Sequence, residues 1–515
     1  MFIDERIFAF SRTGKTDSGI PYPCMISREK GPLFVGPIEE ISSAMHSLPI
    51  YPSTSDELLE AGDFLIIRRA ADLIMRPRKL LSILAEIRSR YGYSRLIYCP
   101  AVGDPYLIPI LAYAGFQVFD DLFVLEESNQ GILYTPLGKM RSVDTSYEAN
   151  MKFVSDLLQA LRSSILNGTI RDLVEKYTMS AKAVEILRII DEEYMDDQEK
   201  TFPVRTGFVY ANSLQSLSRP DLVRYRKKVS EEYIKPSKLE YALIIPCSAR
   251  KPYSTSSSHR KLINRIGAFR KDLHEIIVTS PVGLVPRELE NSYPPRFYDI
   301  PVIGKWFEEE KEMILDMLKS YFARNQYKKV FAYIGKDLNF IEGALPEGSE
   351  IIVGKFTDDS NLGHLENILK ENLQDTGIGN RTRSMLDMVN EAAFQFGTWI
   401  CPYIEGGKII TNYNQRMITV GGKALLVYND QIGKFTITKS MGEIFLKENR
   451  YVVSIDDFKP TANVYPVGIT NVSDDIRPED EVVIAFKDSV RGVGVAKMPI
   501  QAMKTLKKGI AVKVR

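Results

Sequence analysis

Residues 236–356 alternate short apolar runs with helical stretches, and few folds accommodate such a pattern. Each run is bounded by charge, proline or glycine, as expected of strands that are covered on both faces. The alternation predicts a parallel sheet, which binds its ligands outside the carboxyl ends of its strands. Pro246-Cys247-Ser248 and Ser280-Pro281-Val282-Gly283 fall at two such ends, so we expect a site there. The predicted strands are Tyr241–Pro246, Glu275–Ser280, Lys328–Ile334 and Glu350–Gly354.

The sequences on either side of this region differ from each other. Residues 1–235 also alternate apolar runs with helical stretches, which indicates another α/β unit. After residue 357 a helical segment gives way to closely spaced β runs with glycine turns, and the last of these indicate a small β-barrel. We therefore predict four domains, comprising residues 1–235, 236–356, 357–447 and 448–515. The other predicted elements are the runs Asp63–Arg68, Arg95–Pro100, Val118–Asp121, Gly407–Thr411, Lys423–Tyr428, Lys434–Thr438, Tyr451–Ser454, Glu481–Phe486, Gly492–Ala496 and Gly509–Arg515, and the helices Tyr147–Asn167, Thr169–Met195, Trp306–Asn325 and Asn380–Phe396.

Composition and cysteine spacing exclude several classes of protein. With 44% hydrophobic and 26% charged residues, the chain has the composition of a globular protein. No apolar run approaches the length of about 20 residues that spans a bilayer, and the first residues lack the apolar core of a signal peptide. The nearest two of the four cysteines, Cys24 and Cys99, are 75 positions apart, which excludes the usual zinc and iron–sulfur motifs and gives no indication of a disulfide framework. We expect a cytoplasmic protein without membrane contact, metal or cofactor.

Positive charge is concentrated in two segments, although the net charge of the chain is only +1. Residues 246–271 contain seven basic residues and no acidic residue. Residues 487–515 contain eight basic residues and one acidic residue, Asp488. Local clusters of this kind suit binding to a phosphate backbone, although each is also compatible with a solvated protein face.

The segment from Pro246 to His259 combines residue types that suit chemistry on a bound ligand. It has a thiol, Cys247, at a predicted strand end, followed by two cations, a phenol, several small hydroxyls and a histidine. The cations Arg250 and Lys251 are expected to lower the pKa of the thiol and to raise its thiolate fraction. Hydroxyls and exposed amides suit a phosphate or a nucleobase edge. Taken singly, Cys247 and His259 are also compatible with roles in the core.

The same segment resembles the signature of the archaeosine synthase family. The resemblance extends along most of the chain, since the N-terminal part is similar to a shortened tRNA-guanine transglycosylase barrel and the C-terminus to a PUA domain. The signature residues are Pro246-Cys247-Ser248, Lys251-Pro252-Tyr253, Ser256 and Ser258-His259. The flanking similarities are Gly103–Pro105, Tyr113–Gly115, Phe119-Asp120, Ser218–Arg226, Ser280–Glu290, Tyr298–Gly304, Gly468, Arg477–Val482, Gly492–Gly494 and Gly509–Val512.

The resemblance implies an α/β multidomain fold. Its parts would be a truncated transglycosylase-like barrel, a central parallel-sheet α/β domain, a small α+β domain and a C-terminal PUA β-barrel. A transglycosylase usually carries a zinc site of three cysteines and a histidine, and the cysteine spacing offers no such site. Base exchange is therefore not expected, and the N-terminal domain would be a scaffold or a tRNA-docking remnant.

The resemblance also implies an activity in archaeal tRNA modification. The substrate would be tRNA carrying 7-cyano-7-deazaguanine in its D-arm, and the reaction would join the ε-amine of free lysine to the nitrile carbon. A radical S-adenosylmethionine lyase subunit would then cleave the adduct to archaeosine. Three alternatives stay open: a nitrogen donor derived from glutamine, an inactive subunit that docks tRNA, and a base-processing enzyme with a uracil-glycosylase-like layout. A homodimer is also left open.

The resemblance assigns roles to residues of the central domain and of the C-terminus. Cys247 would attack the nitrile to give a thioimidate; in the competing mechanism an acidic residue, Asp299 or Glu288, deprotonates the amine without a covalent step. Either Arg287 or Arg296 would grip the lysine carboxylate, unless it forms a structural ion pair. The predicted catalytic residues are Cys247, Lys251, Tyr253 and His259; the predicted substrate-binding residues are Ser248, Ser256, Ser258, Arg287 and Asp299. The predicted tRNA-binding residues are Lys497, Lys504, Lys507, Lys508, Lys513 and Arg515.

Overall fold

The chain divides into two compact units. The terminal unit contains Met1–Gly207 together with Gly442–Arg515, and the central unit is the contiguous stretch Phe208–Met441. No helix in the described ranges is both long and apolar enough to cross a membrane. The computed structural model describes residues 2–26, 58–68, 70–301, 304–355, 358–412 and 415–515.

The strands of the N-terminal part are β1 (Phe2–Phe8), β2 (Ser11–Thr16), β3 (Pro21–Tyr22), β4 (Cys24–Ile26), β5 (Leu58–Ala61), β6 (Phe64–Ile67), β7 (Leu96–Cys99), β8 (Val118–Asp120), β9 (Ile132–Thr135) and β10 (Gly138–Arg141). The apolar runs predicted here form β6, β7 and β8, which lie in a sheet of order β4-β8-β7-β6-β5. This sheet is parallel except for the pairing of β5 with β6. The other described strands of this part form a three-stranded sheet, β1-β2-β3, and the pair β9-β10. The barrel expected for this region stays a prediction.

The helices of the N-terminal part are α1 (Ala70–Ile74), α2 (Pro77–Tyr91), α3 (Ile108–Ala114), α4 (Leu122–Asn129), α5 (Tyr147–Asn167), α6 (Ile170–Tyr177), α7 (Ala181–Glu193) and α8 (Met195–Thr201). Helix α5 has the predicted bounds and ends at Gly168, whose φ of 75° favours glycine. The single helix predicted for Thr169–Met195 is wrong. The chain breaks after α6, because Ser180 accepts a hydrogen bond from the backbone N–H of Ala183 and so begins a new helix, α7.

The first part of the central unit contains β11 (Val209–Tyr210), α9 (Pro220–Lys227), β12 (Tyr241–Pro246), α10 (Ser257–Arg265), β13 (Leu273–Thr279), β14 (Gly283–Pro286), β15 (Tyr298–Asp299), α11 (Glu308–Arg324), β16 (Lys329–Ile334), β17 (Glu350–Val353) and α12 (Asp359–Asn372). The four predicted strands form β12, β13, β16 and β17 of one sheet, in the order β14-β13-β12-β16-β17. These four are mutually parallel, as predicted, and β14 adds an antiparallel edge. Strand β13 is buried along its whole length, which explains the apolar run Ile276–Val278 in its second half.

The second part of the central unit contains α13 (Asn380–Phe396), α14 (Cys401–Ile404), β18 (Lys408–Asn412), β19 (Gln415–Val420), β20 (Lys423–Asn429) and β21 (Lys434–Ile437). These strands form an antiparallel sheet in sequential order. The predicted runs correspond to β18, β20 and β21, and α13 has the predicted bounds. Strand β19 was not predicted, because only one of its residues, Ile418, is buried.

The C-terminal part contains α15 (Lys439–Lys447), β22 (Val452–Ile455), β23 (Asn463–Val464), β24 (Ile469–Val472), β25 (Glu481–Phe486), β26 (Ser489–Ala496), α16 (Ile500–Thr505) and β27 (Val512–Val514). The strands form one sheet of order β23-β27-β26-β25-β22-β24. Its core includes Ile7 of β1 and Tyr93, which follows α2. The backbone N–H of Tyr93 also donates to Thr505 Oγ1 at 3.1 Å. The two ends of the chain therefore share one hydrophobic core within the terminal unit.

Candidate functional site

The Cys247 thiol lies at the carboxyl edge of the central sheet. Strand β12 is paired in parallel with β13 on one side and with β16 on the other. Extending the register with β13 by one residue beyond Pro246 places Cys247 level with Thr279. The pairing with β16 ends at Ile244 and Ala332, two residues before the end of each strand. The backbone N–H of Cys247 donates to the carbonyl of Val278 at 3.2 Å, which continues the ladder to this point. The sheet therefore fixes the thiol between two neighbouring strand ends, where the sequence predicted a site.

The electrostatic surroundings of Cys247 act in opposite directions. Burial raises the pKa of the thiol, while a hydrogen bond with Thr279 and the charge of Lys251 lower it, and the charge of Asp337 raises it. The sequence predicted that neighbouring cations would lower this pKa. Lys251 has that effect, but burial is the larger influence and the net pKa is raised. The thiol therefore depends on Lys251 for part of its thiolate fraction.

Lys251 is held against an aromatic ring rather than in an ion pair. Its Nζ lies 3.8 Å from the centroid of the Tyr298 ring, a cation–π distance. Burial lowers the pKa of Lys251, whereas the nearby Cys247 and Asp299 raise it. The ammonium group therefore interacts electrostatically with both the thiol and the exposed carboxylate of Asp299.

Buried hydroxyl groups form a chain that leads to the thiol. Tyr253 Oη lies 2.9 Å from Tyr298 Oη, which lies 2.7 Å from Thr279 Oγ1. The Thr279 side chain in turn contacts the thiol of Cys247. Burial raises the pKa of both tyrosines, so both are neutral phenols at physiological pH. This arrangement can pass a proton between the protein interior and the sulfur.

His259 is buried behind the motif, near the start of α10. Its Nδ1 lies 3.0 Å from a guanidinium nitrogen of Arg287. Burial has the largest effect on the pKa of His259, and the charge of Arg287 has the next largest. Both lower it, and the resulting pKa is about 3. Any role of His259 near neutral pH is therefore that of a neutral imidazole.

Arg287 is paired with two buried carboxylates. Its Nε donates to Glu275 Oε2 at 2.8 Å, and its Nη1 donates to Glu290 Oε2 at 3.0 Å. Although burial raises the pKa of Glu275, Arg287 and Arg270 lower it to about 2. These contacts are those of the structural ion pair that the sequence left open as the alternative to a lysine-binding role.

The predicted serines lie at two places. Ser256 is buried and caps α10, because its hydroxyl accepts from the backbone N–H of His259 at 3.2 Å. Ser258 Oγ lies 3.3 Å from Ser256 Oγ. Ser248 is half-buried and donates to the carbonyl of Arg250 at 3.0 Å. Ser248 is thus closer to the protein surface than Ser256.

The two acidic residues of the competing mechanism are separated. Asp299 is exposed, and one of its oxygens accepts from the backbone N–H of Ile300. Glu288 is buried with Tyr233 and His274, and its Oε2 lies 3.3 Å from His274 Nε2. Of the two, only Asp299 has its charge near Lys251.

Arg296, the alternative candidate for the lysine carboxylate, donates to the backbone carbonyl of Asp430. Its guanidinium therefore has a partner in the loop after β20.

Most of the predicted tRNA-binding residues at the C-terminus form ion pairs. Within the described ranges, Lys507 and Lys513 are exposed and have no carboxylate partner. Pairs at a protein surface contribute little to stability, so phosphate groups can compete for the paired lysines, whereas Arg515 is paired with the buried carboxylate of Glu481. The pairs are Lys497–Glu479, Lys504–Asp474, Lys508–Asp17 and Arg515–Glu481.

Several residues of the site were not identified from the sequence. Thr279 and Tyr298 lie in or beside segments that carry the family resemblance. Their contacts with the motif, however, depend on strand register. Asp337 follows the end of β16, and Trp306 lies beside Asp337. The rule that ligands bind outside the carboxyl ends of parallel strands indicated Cys247 and would also have indicated Asp337. In the described part of the chain, no group of three or more His, Cys, Asp or Glu residues is arranged to hold a metal ion.

Family models match two parts of the chain. Residues 222–369, which contain the site, match a model described as a domain of unknown function. Residues 455–515 match the PUA domain. The chain is therefore a multidomain α/β protein with a C-terminal PUA domain.

Two proteins of known name resemble the chain over most or all of its length. It is 44% identical to the archaeosine synthase subunit alpha of Thermoplasma acidophilum, over 100% of both chains. It is 32% identical to the subunit of the same name from Thermococcus kodakarensis, over 86% of this chain and 78% of that one. The chain belongs to the archaeosine synthase alpha-subunit family.

More distant similarities cover parts of the chain. A tRNA-guanine(15) transglycosylase of Methanothermobacter thermautotrophicus is 25% identical over 44% of this chain and 39% of its own. Among solved structures, a protein of unknown function is 25% identical, with a TM-score of 0.45 over 57% of this chain and 98% of that one.

Proposed function

We propose that this chain acts in the formation of archaeosine on tRNA, by adding the ε-amine of free lysine to the nitrile of 7-cyano-7-deazaguanine. Membership of the archaeosine synthase alpha-subunit family supports the tRNA modification, and the PUA domain supports RNA as the substrate. The observation that carries the chemistry is the cluster of Cys247, Lys251 and the hydroxyl chain at the carboxyl edge of the central sheet.

The covalent mechanism uses Cys247 as the nucleophile. Its thiolate forms a bond to the nitrile carbon, and the nitrile nitrogen takes up one proton to give a thioimidate. The lysine ε-amine then bonds to the same carbon, the C–S bond breaks, and an amine proton returns to the sulfur. The amine is thereby added across the nitrile and nothing is released. A nitrile is a weak electrophile, so a strong nucleophile and a placed proton both accelerate the first step.

The hydroxyl chain and Lys251 supply the proton and the charge. Tyr253, Tyr298 and Thr279 can pass a proton towards the nitrile nitrogen while the sulfur attacks. Lys251 stabilises the thiolate before the attack and again when it leaves the thioimidate. His259 and Arg287 act indirectly, because their mutual contact supports the start of α10 behind the motif.

The product of this reaction is an amidine that still carries the lysine carbon skeleton. Archaeosine formation therefore requires a second enzyme that cleaves the adduct, and we assign this role to a radical S-adenosylmethionine lyase partner. In the non-covalent variant, Asp299 removes a proton from the lysine amine, and its place beside Lys251 supports this as the alternative.

The test is mass spectrometry of nucleosides from nitrile-bearing tRNA incubated with the protein and isotopically labelled lysine. A nucleoside heavier by one intact labelled lysine is expected. Cys247→Ala should abolish this adduct while tRNA binding is retained, and Cys401→Ala is the matched control at a half-buried cysteine outside the motif. Full turnover by Cys247→Ala would exclude the covalent mechanism. Absence of any adduct from the wild-type protein would contradict lysine transfer and favour a glutamine-derived donor or a docking role.

A further inference from the structure

The carboxyl end of β16 contributes an acidic side chain to the site. Strand β16 is the parallel neighbour of β12, and Gly335 directly follows its end at Ile334, as Cys247 directly follows the end of β12 at Pro246. The Asp337 side chain folds back over this glycine, because a Cβ at Gly335 would collide with Asp337 Oδ1. The same carboxylate is close enough for its charge to act on the thiol of Cys247.

Asp337 is exposed and lies beside an aromatic surface. The indole Nε1 of Trp306 lies 3.5 Å from Asp337 Oδ2, and the indole packs against Phe340 with ring centroids 5.7 Å apart. Within the described ranges, no lysine or arginine forms an ion pair with Asp337. A carboxylate at a site edge that contacts an indole N–H and no cation retains acceptor capacity for a ligand.

A base of the guanine type presents the complementary groups. Its ring N–H and exocyclic amino group are adjacent donors on one edge, and the two oxygens of a carboxylate can accept both. The nitrile lies on the opposite side of the bicyclic ring, so a base held by this edge can direct the nitrile towards a group across the site. Enzymes that act on an extruded base commonly read this edge and stack the ring on aromatic side chains.

We propose that Asp337 and Trp306 recognise the modified base, with Asp337 accepting from the ring N–H and the exocyclic amino group and Trp306 stacking on the ring. This assignment rests on the proposed function, since it takes 7-cyano-7-deazaguanine as the base presented to Cys247. Gly335 is part of the arrangement, because its missing side chain leaves the space that the Asp337 carboxylate occupies.

The test compares two RNAs in equilibrium binding, without turnover. One is tRNA carrying 7-cyano-7-deazaguanine, and the other is the same tRNA with a base that lacks only the exocyclic amino group. The wild-type protein should bind the second RNA about tenfold or more weakly, as expected for the loss of one arm of a bidentate contact. In Asp337→Asn this ratio of dissociation constants should fall to about one, because the carboxylate that reads the amino group is gone.

Two further variants keep the test decisive. Gly335→Ala should also lower the ratio, because the new Cβ displaces the carboxylate, while its backbone φ of −78° suits alanine. Asp316→Asn, at an exposed position of α11, is the matched control and should retain the wild-type ratio.

The outcomes separate this assignment from the proposed function. An unchanged ratio in Asp337→Asn, or a ratio of one in the wild-type protein, would overturn the assignment. If Asp337→Asn raises the KM for lysine but leaves the ratio of RNA dissociation constants unchanged, the assignment is also overturned. Asp337 would then contact the lysine amine. A third outcome combines two results: the wild-type protein forms no lysine adduct, and the ratio of dissociation constants for the two RNAs falls to about one in Asp337→Asn. In that case the proposed chemistry is wrong and the base recognition is supported.

Discussion

Cys247 and Lys251 lie four positions apart in the motif, and each shifts the pKa of the other. Burial holds the pKa of the thiol above its ordinary value, and the positive charge of Lys251 opposes that effect. In the proposed covalent mechanism the thiolate is the nucleophile, so we expect the active fraction to rise with pH towards this raised pKa. Under the same proposal, Lys251 extends activity to lower pH than the buried thiol would otherwise reach.

We predict that Lys251→Met moves the thiol titration to higher pH. The substitution removes the charge that lowers the pKa of Cys247 and leaves the burial that raises it, so the thiolate fraction falls at any given pH. The rate of Cys247 alkylation by iodoacetamide, followed against pH in a Cys24, Cys99 and Cys401 background of alanines, measures this directly. Lys251→Arg should retain most of the wild-type profile. An unchanged profile in Lys251→Met would show that the ammonium group does not act on the sulfur.

At the scale of the element, α10 is positioned by one serine of the motif. Ser256 begins the helix by accepting from the backbone N–H of His259, and it is only 5% exposed. We predict that Ser256→Ala destabilises the protein by about 1 kcal/mol through loss of this cap, and that Ser256→Asp restores most of that stability. Urea unfolding, followed through the transition of the central unit, measures the free energy of unfolding of both variants.

The same pair of variants separates a capping role from a substrate contact. If Ser256 mainly caps α10, then Ser256→Asp should recover adduct formation together with stability. If Ser256→Asp is stable but inactive, the hydroxyl itself would contact substrate.

The central sheet was predictable from sequence because β12, β13 and β16 are buried along almost their whole lengths, which requires apolar runs. The edge strand β17 was predictable from its apolar residues although Ile351 and Val353 are exposed. Helix α13 was predictable because the helical periodicity of its apolar residues is uninterrupted. The break after α6 depends on a single capping serine, and β19 has one buried side chain, so neither left a strong periodic signal.

The candidate site was predictable only in part. The rule that ligands bind at strand ends pointed to Cys247, because that inference needs only strand order and direction. The hydroxyl contact between Tyr253 and Tyr298 joins residues 45 positions apart in the chain. Likewise, Arg287 meets His259 only because their elements pack together. Pairings of this kind depend on tertiary register, which a single sequence does not contain.

At the scale of the whole molecule, the PUA sheet has a structural role besides any contact with RNA. Ile7 and Tyr93 lie in the same core as the strands of that sheet, and Arg477 donates to Glu199 from Nη2 at 2.9 Å. A deletion after Tyr451 would uncover this core as well as remove basic residues. Substitution of exposed lysines is therefore the cleaner way to measure the contribution of the sheet to tRNA binding.

We predict that the double variant Lys507→Gln with Lys513→Gln weakens tRNA binding and makes it less sensitive to salt. Each lysine that contacts a phosphate releases about one counterion, so the slope of log K against log salt should fall by about two. Binding titrations between low and moderate salt measure this slope. Lys439→Gln together with Lys447→Gln, in α15, is the matched control for loss of two charges and should leave the slope unchanged. Equal slopes in wild type and in the Lys507 and Lys513 variant would exclude phosphate contacts at those positions.

The shared core of the two chain ends also sets an order of assembly during synthesis. Residues 208–441 leave the ribosome as one continuous stretch, so the central unit can close before translation ends. The terminal unit has to wait for the strands after Gly442, which appear several seconds later at ordinary rates of about 5–20 residues per second. During that interval the apolar surface around Ile7 and Tyr93 lacks its partner strands and is a natural place for a chaperone to bind.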